Sequence, residues 1–203
     1  MTLEFSTGLL AMPWLLPAYF AVFFATTMIW RSWQVYRHTG INPVVLPTQD
    51  SALGYTGRAF KLTLLALAVY LCLDASGWQG VQAPHAFGPG LQLLAWLVLV
   101  VSLGAMVVAQ RQMGASWRVG IDEQRRTPLV TSGLFRSSRN PIFLTMRLNL
   151  LGLVVLRPGA AALGIAAVGE VLMQIQVRLE EQHLRQTHGI DYAAYCSRVR
   201  RWL

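Results

Sequence analysis

The sequence predicts an all-α polytopic membrane protein: five transmembrane helices, a tight hairpin between the fourth and fifth, and cytoplasmic helices at the C-terminal end. Three observations lead there. First, 54% of the 203 residues are hydrophobic and only 13% are charged, with a mean hydropathy of +0.44, which is too apolar for an ordinary soluble domain. Second, several apolar runs are long enough to cross a bilayer. Third, the net charge of +8 comes from arginines gathered in loops between those runs, with Lys61 the only lysine. That is the positive-inside pattern rather than a nucleic-acid-binding face, so no nucleic acid is expected and membrane lipids are the expected neighbours.

Residues 9–30 read as the first span, with Pro13 and Pro17 near its start and Trp30 and Trp33 where an interfacial aromatic belt would lie. Glu4, with no basic residue before the apolar run, does not fit the charged start of a signal peptide, so this segment reads as retained. A loop with Arg31, Arg37 and Arg58 leads to a second span at 59–77. The next loop carries no Lys, Arg, Asp or Glu, and a third span follows at 90–109.

The segment 110–140 is basic, with Arg111, Arg118, Arg125, Arg126, Arg136 and Arg139. Asn140-Pro141 then has the form of a helix start, because Asn is a favoured N-cap and Pro a favoured first residue. A short fourth span at 141–156 turns at Arg157-Pro158-Gly159 into a fifth at 160–178, and so brief a loop makes the pair an antiparallel hairpin. Ala160, Gly164 and Ala167 offer small residues for close helix packing. The arginine count puts 31–58, 110–140 and 178–203 in the cytoplasm, hence N-terminus out and C-terminus in. The chain reads as one membrane domain whose segments 110–140 and 178–203 form a cytoplasmic ligand-binding part. The Arg-rich, Ala/Leu/Gly-rich composition fits a bacterial inner-membrane protein.

Depth in the hairpin gives the first functional constellation. Residues whose numbers sum to about 316 lie level, so Pro141 sits beside residue 175, and Glu180 lies ~7–8 Å further into the cytoplasm at ~1.5 Å per residue. Arg139, Asn140 and the helix start therefore face the carboxylates Glu180 and Glu181 across a gap suited to a polar ligand. Gln176, Glu180 and His183 share one helical face, with Arg178 and Glu181 off it. The exposed N–H groups at the start of the fourth span add an anion-binding tendency. Arg147 lies at membrane depth, where a charge is costly, and falls level with residue 169, beside Glu170. A buried Arg147–Glu170 ion pair and an acceptor-binding role, with Asn149 and Gln174 adding polarity, are both open. Taken singly, the arginines fit a topology signal, the acids fit a solvated ion-pairing face, and His183 and His188 fit surface histidines. No His/Cys/Asp set has metal-ligand spacing, so no metal is expected. Cys72 and Cys196 lie in different environments and are not expected to pair.

Together, TPLVTSGLFRSSRNPIF at 127–143, the hairpin, and RLEEQHLRQTHGIDYAAYCSRVRRW at 178–202 resemble the isoprenylcysteine carboxyl methyltransferase and phospholipid methyltransferase group of integral membrane enzymes. Leu129, Val130, Thr131, Gly133 and Phe135 match its Leu-Val-Thr-x-Gly-x-Tyr segment. Arg139, Asn140, Pro141 and Phe143 match Arg-His-Pro-x-Tyr. Glu180, Glu181, Leu184, Gly189, Tyr192 and Tyr195 match the tail. Asn140 stands in place of the family's His, Phe135 and Phe143 in place of Tyr, and Gln176 where an Arg often precedes the acids.

The resemblance implies an S-adenosylmethionine-dependent methyltransferase acting on a lipophilic acceptor that enters from the bilayer. The acceptor would be a prenylcysteine-like carboxylate, with a phospholipid amine or small thiol as alternatives. Thr127, Pro128, Leu129, Val130 and Phe135 would line the adenosyl pocket. Asn140, Pro141, Ile142 and Phe143 would lie at the methionine portion, and Glu180 would hold a polar group of the donor. Arg139, Glu180, Glu181 and Arg147 are the candidates for the reacting centre, with His183 a further candidate base. The rival expectation is a non-catalytic membrane scaffold that keeps the fold and contacts anionic lipid. Oligomeric state is not readable from the sequence.

Overall fold

The computed structural model describes residues 12–45, 51–78, 80, 87–121 and 125–203. Residues 9–11 of the expected first span, the N-terminal segment before them and residues 81–86 of the uncharged loop lie outside the described residues. Among the described residues every regular element is a helix, with no strand beyond one parallel bridge between Val44 and Val119. It is an all-α membrane protein. Three helices are long and apolar enough to cross a membrane, and one shorter apolar helix, Pro141–Leu156, packs with them.

The first segment is longer than expected. Helix α1 (Leu15–Phe24) passes through a π-helical turn (Ala25–Trp30) into α2 (Arg31–Thr39), which stops at Gly40 in the left-handed conformation, φ 67°. No Gly or Pro lies between Trp30 and Gly40, so nothing ends the helix at the tryptophans. The π turn displaces carbonyls from the regular ladder, and buried Gln110 donates its Nε2 to one of them, Thr27 O, at 2.9 Å. Arg31 ties the same region to the end of the third long helix, donating to Gln110 O at 2.7 Å and Gly114 O at 2.6 Å.

Helix α3 (Ala52–Ala75) begins seven positions before the expected 59, because Ser51 caps it, accepting from Gly54 N at 3.1 Å. Helix α4 (Pro89–Met113) runs four residues past the expected 109 to Gly114, whose φ of 54° stops it. Helix α5 (Pro141–Leu156) has the expected limits. Helix α6 (Ala160–Arg198) spans 39 residues and bends only at Gly189, with φ 50° and ψ −116°. From residue 160 to that bend it is ~43 Å long at ~1.5 Å per residue. The hydrocarbon core is ~30 Å thick, so its C-terminal part stands clear of it.

The α5–α6 hairpin is held at its turn by Arg157, whose Nε donates to Asp74 Oδ2 of α3 at 2.7 Å, both groups buried. Nearby, Leu16, Phe20, Leu67, Tyr70, Leu71, Ala95, Trp96, Leu99, Leu153, Leu156 and Ala162 form the apolar core. The close helix approaches are at Gly152 and Gly169, where an added Cβ would lie 2.5 Å from Leu99 Cδ2 and 2.8 Å from Leu150 Cδ1. Gly164, expected to serve this purpose, faces open space, while Ala162 of the same helix is fully buried. One polar chain crosses the interior. Tyr19 Oη donates to Asn149 Oδ1 at 2.7 Å, and Asn149 Nδ2 donates to Ser102 Oγ at 2.8 Å, linking α1, α5 and α4. The apolar core and the buried ion pair thus anchor the turn end of the hairpin, leaving its other end to build the site.

Candidate functional site

The site lies where the start of α5 meets the projecting part of α6. The segment before α5 is folded by two contacts that need particular residues. Gly133 has φ 61°, a left-handed conformation that favours glycine, and an added Cβ would come within 2.3 Å of the Gln112 side chain of α4 unless that side chain moved. Gln112 Oε1 in turn accepts from Leu134 N at 2.8 Å. Phe135, buried in the short 3-10 turn Gly133–Arg136, offers its carbonyl to Tyr195 Oη at 2.6 Å. The loop is therefore held between the end of α4 and the end of α6.

Glu180 and Glu181 are consecutive, so they point about 100° apart around α6. They have different surroundings. Glu181 is buried and takes four contacts from three side chains. Arg201 donates Nε to its Oε1 at 3.0 Å and Nη2 to its Oε2 at 2.8 Å, Arg139 Nη2 lies 3.2 Å from Oε1, and Asn140 Nδ2 lies 3.3 Å from Oε1. Burial works to raise its carboxyl, but the hydrogen bonds from Arg201, the charges of Arg139 and Arg201, and the Asn140 amide outweigh it. The group is held below the usual carboxylate range. Asn140 occupies the expected N-cap position without capping the helix through its side chain, because that amide is turned onto Glu181 and onto Arg201 O at 3.2 Å.

Glu180 faces a cleft instead. It is half-buried, accepts from Gln176 Nε2 at 3.1 Å and has no cation paired with it among the described residues. Withdrawal from water pushes its carboxyl up to about 7. The cleft, about 130 Å³ in volume, brings together Thr127, Pro128, Leu129, Val130 and Phe135 from the loop, Arg139 from the junction and Glu180 from α6. His183, Leu184, Thr187 and His188 continue the α6 wall at helical spacing, and Met113, Ser116, Arg118, Gly120, Ile121 and Arg125 close the α4 side. Burial lowers the His188 pKa, with the charge of Arg126 acting the same way. Arg139 Nε is buried there without a hydrogen-bond partner among the described residues.

Asn140, Pro141, Ile142, Phe143, Glu181 and Arg147 are not in the lining of this cleft. Arg147 pairs with Glu170, Nε to Oε2 at 2.8 Å, as the hairpin register implied, and its guanidinium lies 4.4 Å over the Trp202 ring. Both members of that pair are about one third exposed, and Gln174 extends it by donating to Glu170 Oε1 at 2.7 Å.

The tail residues Arg201 and Trp202 are among the contributors that sequence reasoning missed. Arg200 O accepts from Arg139 N at 3.0 Å and Arg201 O from Ser138 Oγ at 3.2 Å, so the chain end is strapped along the start of α5. Their only sequence signal was a basic, tryptophan-containing terminus. A second hollow, about 430 Å³, shares Tyr195 with the cleft and is lined by Thr131, Ser132, Arg136, Arg198 and Val199. It is the larger, but the carboxylate and the expected loop residues lie at the smaller one.

Residues 85–190 match the family model described as phospholipid methyltransferase, just over half of the chain and reaching from the start of α4 to the bend in α6. No individual curated protein matches the chain.

Proposed function

Since this chain belongs to the phospholipid methyltransferase family and is a membrane methyltransferase, we propose that it uses S-adenosylmethionine to methylate a lipophilic acceptor at the cytoplasmic membrane face. The observation that carries this reading is the convergence of Glu180, Arg139, Phe135 and residues 127–130 on one cleft.

The residues present suit such a donor. Leu129, Val130, Phe135 and Ile121 supply apolar walls for an adenosyl group, and Glu180 supplies an acceptor for ribose hydroxyls or an ammonium. Arg125 offers positive charge for a carboxylate. The volume is below the ~300–1,000 Å³ usual for small-molecule sites, so a nucleoside-sized ligand would also extend across the mouth, where Arg125 and Pro128 are exposed. S-adenosylmethionine supplies a methyl group on a sulfonium, an electrophile that already carries its leaving group. The protein's share is then to align the acceptor and exclude water, an effect worth ~7–11 kcal/mol in well-oriented reactions.

Glu181, which also receives the Asn140 amide, braces Arg139 from behind. Pro141, Ile142 and Phe143 form the first turn of α5 and, on the family resemblance, meet the methionine end of the donor. Arg147, paired and about one third exposed on the hairpin, belongs to the acceptor's approach from the bilayer. The topology that accompanies this reading is one membrane domain with the N-terminus out, and 110–140 and 178–203 as the cytoplasmic donor-binding part, in a bacterial inner membrane.

A prenylcysteine-like carboxylate needs no proton removed before attack. A phospholipid amine or small thiol does, and one observation favours that second reading. A carboxyl titrating near 7 in the cleft is suited to serve as general base at neutral pH. Calorimetry on detergent-purified protein tests the proposal: S-adenosylmethionine binds the wild type and not Glu180→Ala. An absence of wild-type binding returns the chain to a non-catalytic scaffold. Methylation assays with prenylcysteine analogues, ethanolamine lipids and thiols then separate the acceptors.

A further inference from the structure

The 430 Å³ hollow beside the cleft has no part in the reaction proposed above, yet it has the size of a small-ligand site. Its charged lining residues are Arg136 and Arg198, joined by the hydroxyls of Thr131 and Ser132, and no carboxylate lines it. Among the described residues neither arginine forms an ion pair with an acid. Arg198 lines the hollow while its Nε donates to Ala194 O at 3.2 Å, which fixes the base of its guanidinium. Ser132 precedes the 3-10 turn without making a capping bond.

Two like charges around one hollow repel each other, and an anion held between them offsets that repulsion. Two guanidiniums with two hydroxyl donors match a tetrahedral dianion in charge and in hydrogen-bond demand better than they match a single carboxylate. We propose that this hollow binds a phosphate-class anion, either free or carried as the phosphomonoester headgroup of a lipid. The site borders the cleft through Tyr195, which lines both and is tied to Phe135 by the 2.6 Å hydrogen bond.

The test uses the full chain in detergent at low ionic strength, with no methyl donor present, so it does not depend on the methyltransferase reading. Calorimetric titrations use inorganic pyrophosphate, dihexanoyl phosphatidate and, as control, dihexanoyl phosphatidylcholine. The expected result is binding of pyrophosphate, phosphatidate or both, but not of phosphatidylcholine. Affinity should fall roughly tenfold or more in Arg136→Gln and in Arg198→Gln. Arg136→Lys and Arg198→Lys, which keep the charge and lose the planar fork, should bind with intermediate affinity. Response to pyrophosphate alone identifies a free anion, and response to phosphatidate alone identifies a lipid headgroup. Arg185→Gln, an exposed arginine of α6 outside the hollow, should bind as wild type. The proposal is overturned by no binding of either phosphate probe, by unchanged binding in the Arg136→Gln/Arg198→Gln double variant, or by an equal loss in Arg185→Gln.

Discussion

Asn140 Nδ2 lies 3.3 Å from Glu181 Oε1, a contact across 41 residues of sequence that joins the first residue before α5 to the projecting half of α6. Arg139 and Arg201 converge on the same carboxylate, so one buried acid organises the loop, the hairpin and the chain end. Glu180, one residue earlier, is left to face the cleft. The neighbouring acids thus have separate tasks, the first open to a ligand and the second closed by the protein.

Replacing Glu181 by Ala strands Arg139 and Arg201 and should lower the stability of the fold by about 3 kcal/mol, the usual cost of removing one partner from a buried ion pair. Thermal unfolding in detergent reads this as a fall in midpoint. Glu180→Ala breaks no ion pair among the described residues and should not lower the midpoint, while removing donor binding. Equal destabilisation by the two would contradict the division of tasks.

The Glu180 carboxyl is raised from 4.5 to about 7. Its contribution to stability is therefore fully present below pH 4.5 and is lost as pH rises through 7. Glu180→Gln should remove this dependence. Affinity for a cationic donor should move the opposite way, strengthening as the carboxylate forms between about pH 6 and 8. Calorimetry across that interval should give a rising affinity in wild type and a flat one in Glu180→Gln.

Gly133→Ala should weaken donor binding, because it places a Cβ against Gln112 at a φ of 61°. A non-glycine residue held there costs about 1–3 kcal/mol. Adding Gln112→Ala should relieve the collision but not the backbone strain, so rescue should be partial. Full rescue would show that crowding alone made glycine necessary.

Asp74→Ala or Arg157→Ala should each cost about 3–5 kcal/mol, since each removes the 2.7 Å contact between two buried charges. The double variant should be less destabilised than the sum of the singles, as a double-mutant cycle in detergent can measure. Donor affinity should hardly change in the variants that fold, because this pair anchors the turn of the hairpin rather than the cleft.

The elements that were legible in the sequence were those carried by local signals. Pro141 and the 157–159 turn delimit α5, and the hairpin register leads from Arg147 to Glu170. The early start of α3 at Ser51 and the extension of the first helical segment to Gly40 were missed. Hydropathy marks where a helix becomes apolar, whereas a cap or a glycine decides where it starts and stops. Small residues on α6 signalled close packing, but only rotation of the helix in the bundle determined that Ala162 and Gly169 face inward and Gly164 outward.

By itself the sequence determined the all-α membrane class, the hairpin and the family, because apolar run length, turn residues and motif spacing are properties of neighbours along the chain. Only the tertiary structure decided which of two adjacent acids is sealed and which is open, and that Arg201 and Trp202 return to the start of α5. The physical reason is that the state of a carboxylate depends on burial and on the charges around it. Those surroundings come from segments far apart in sequence, which no local pattern records.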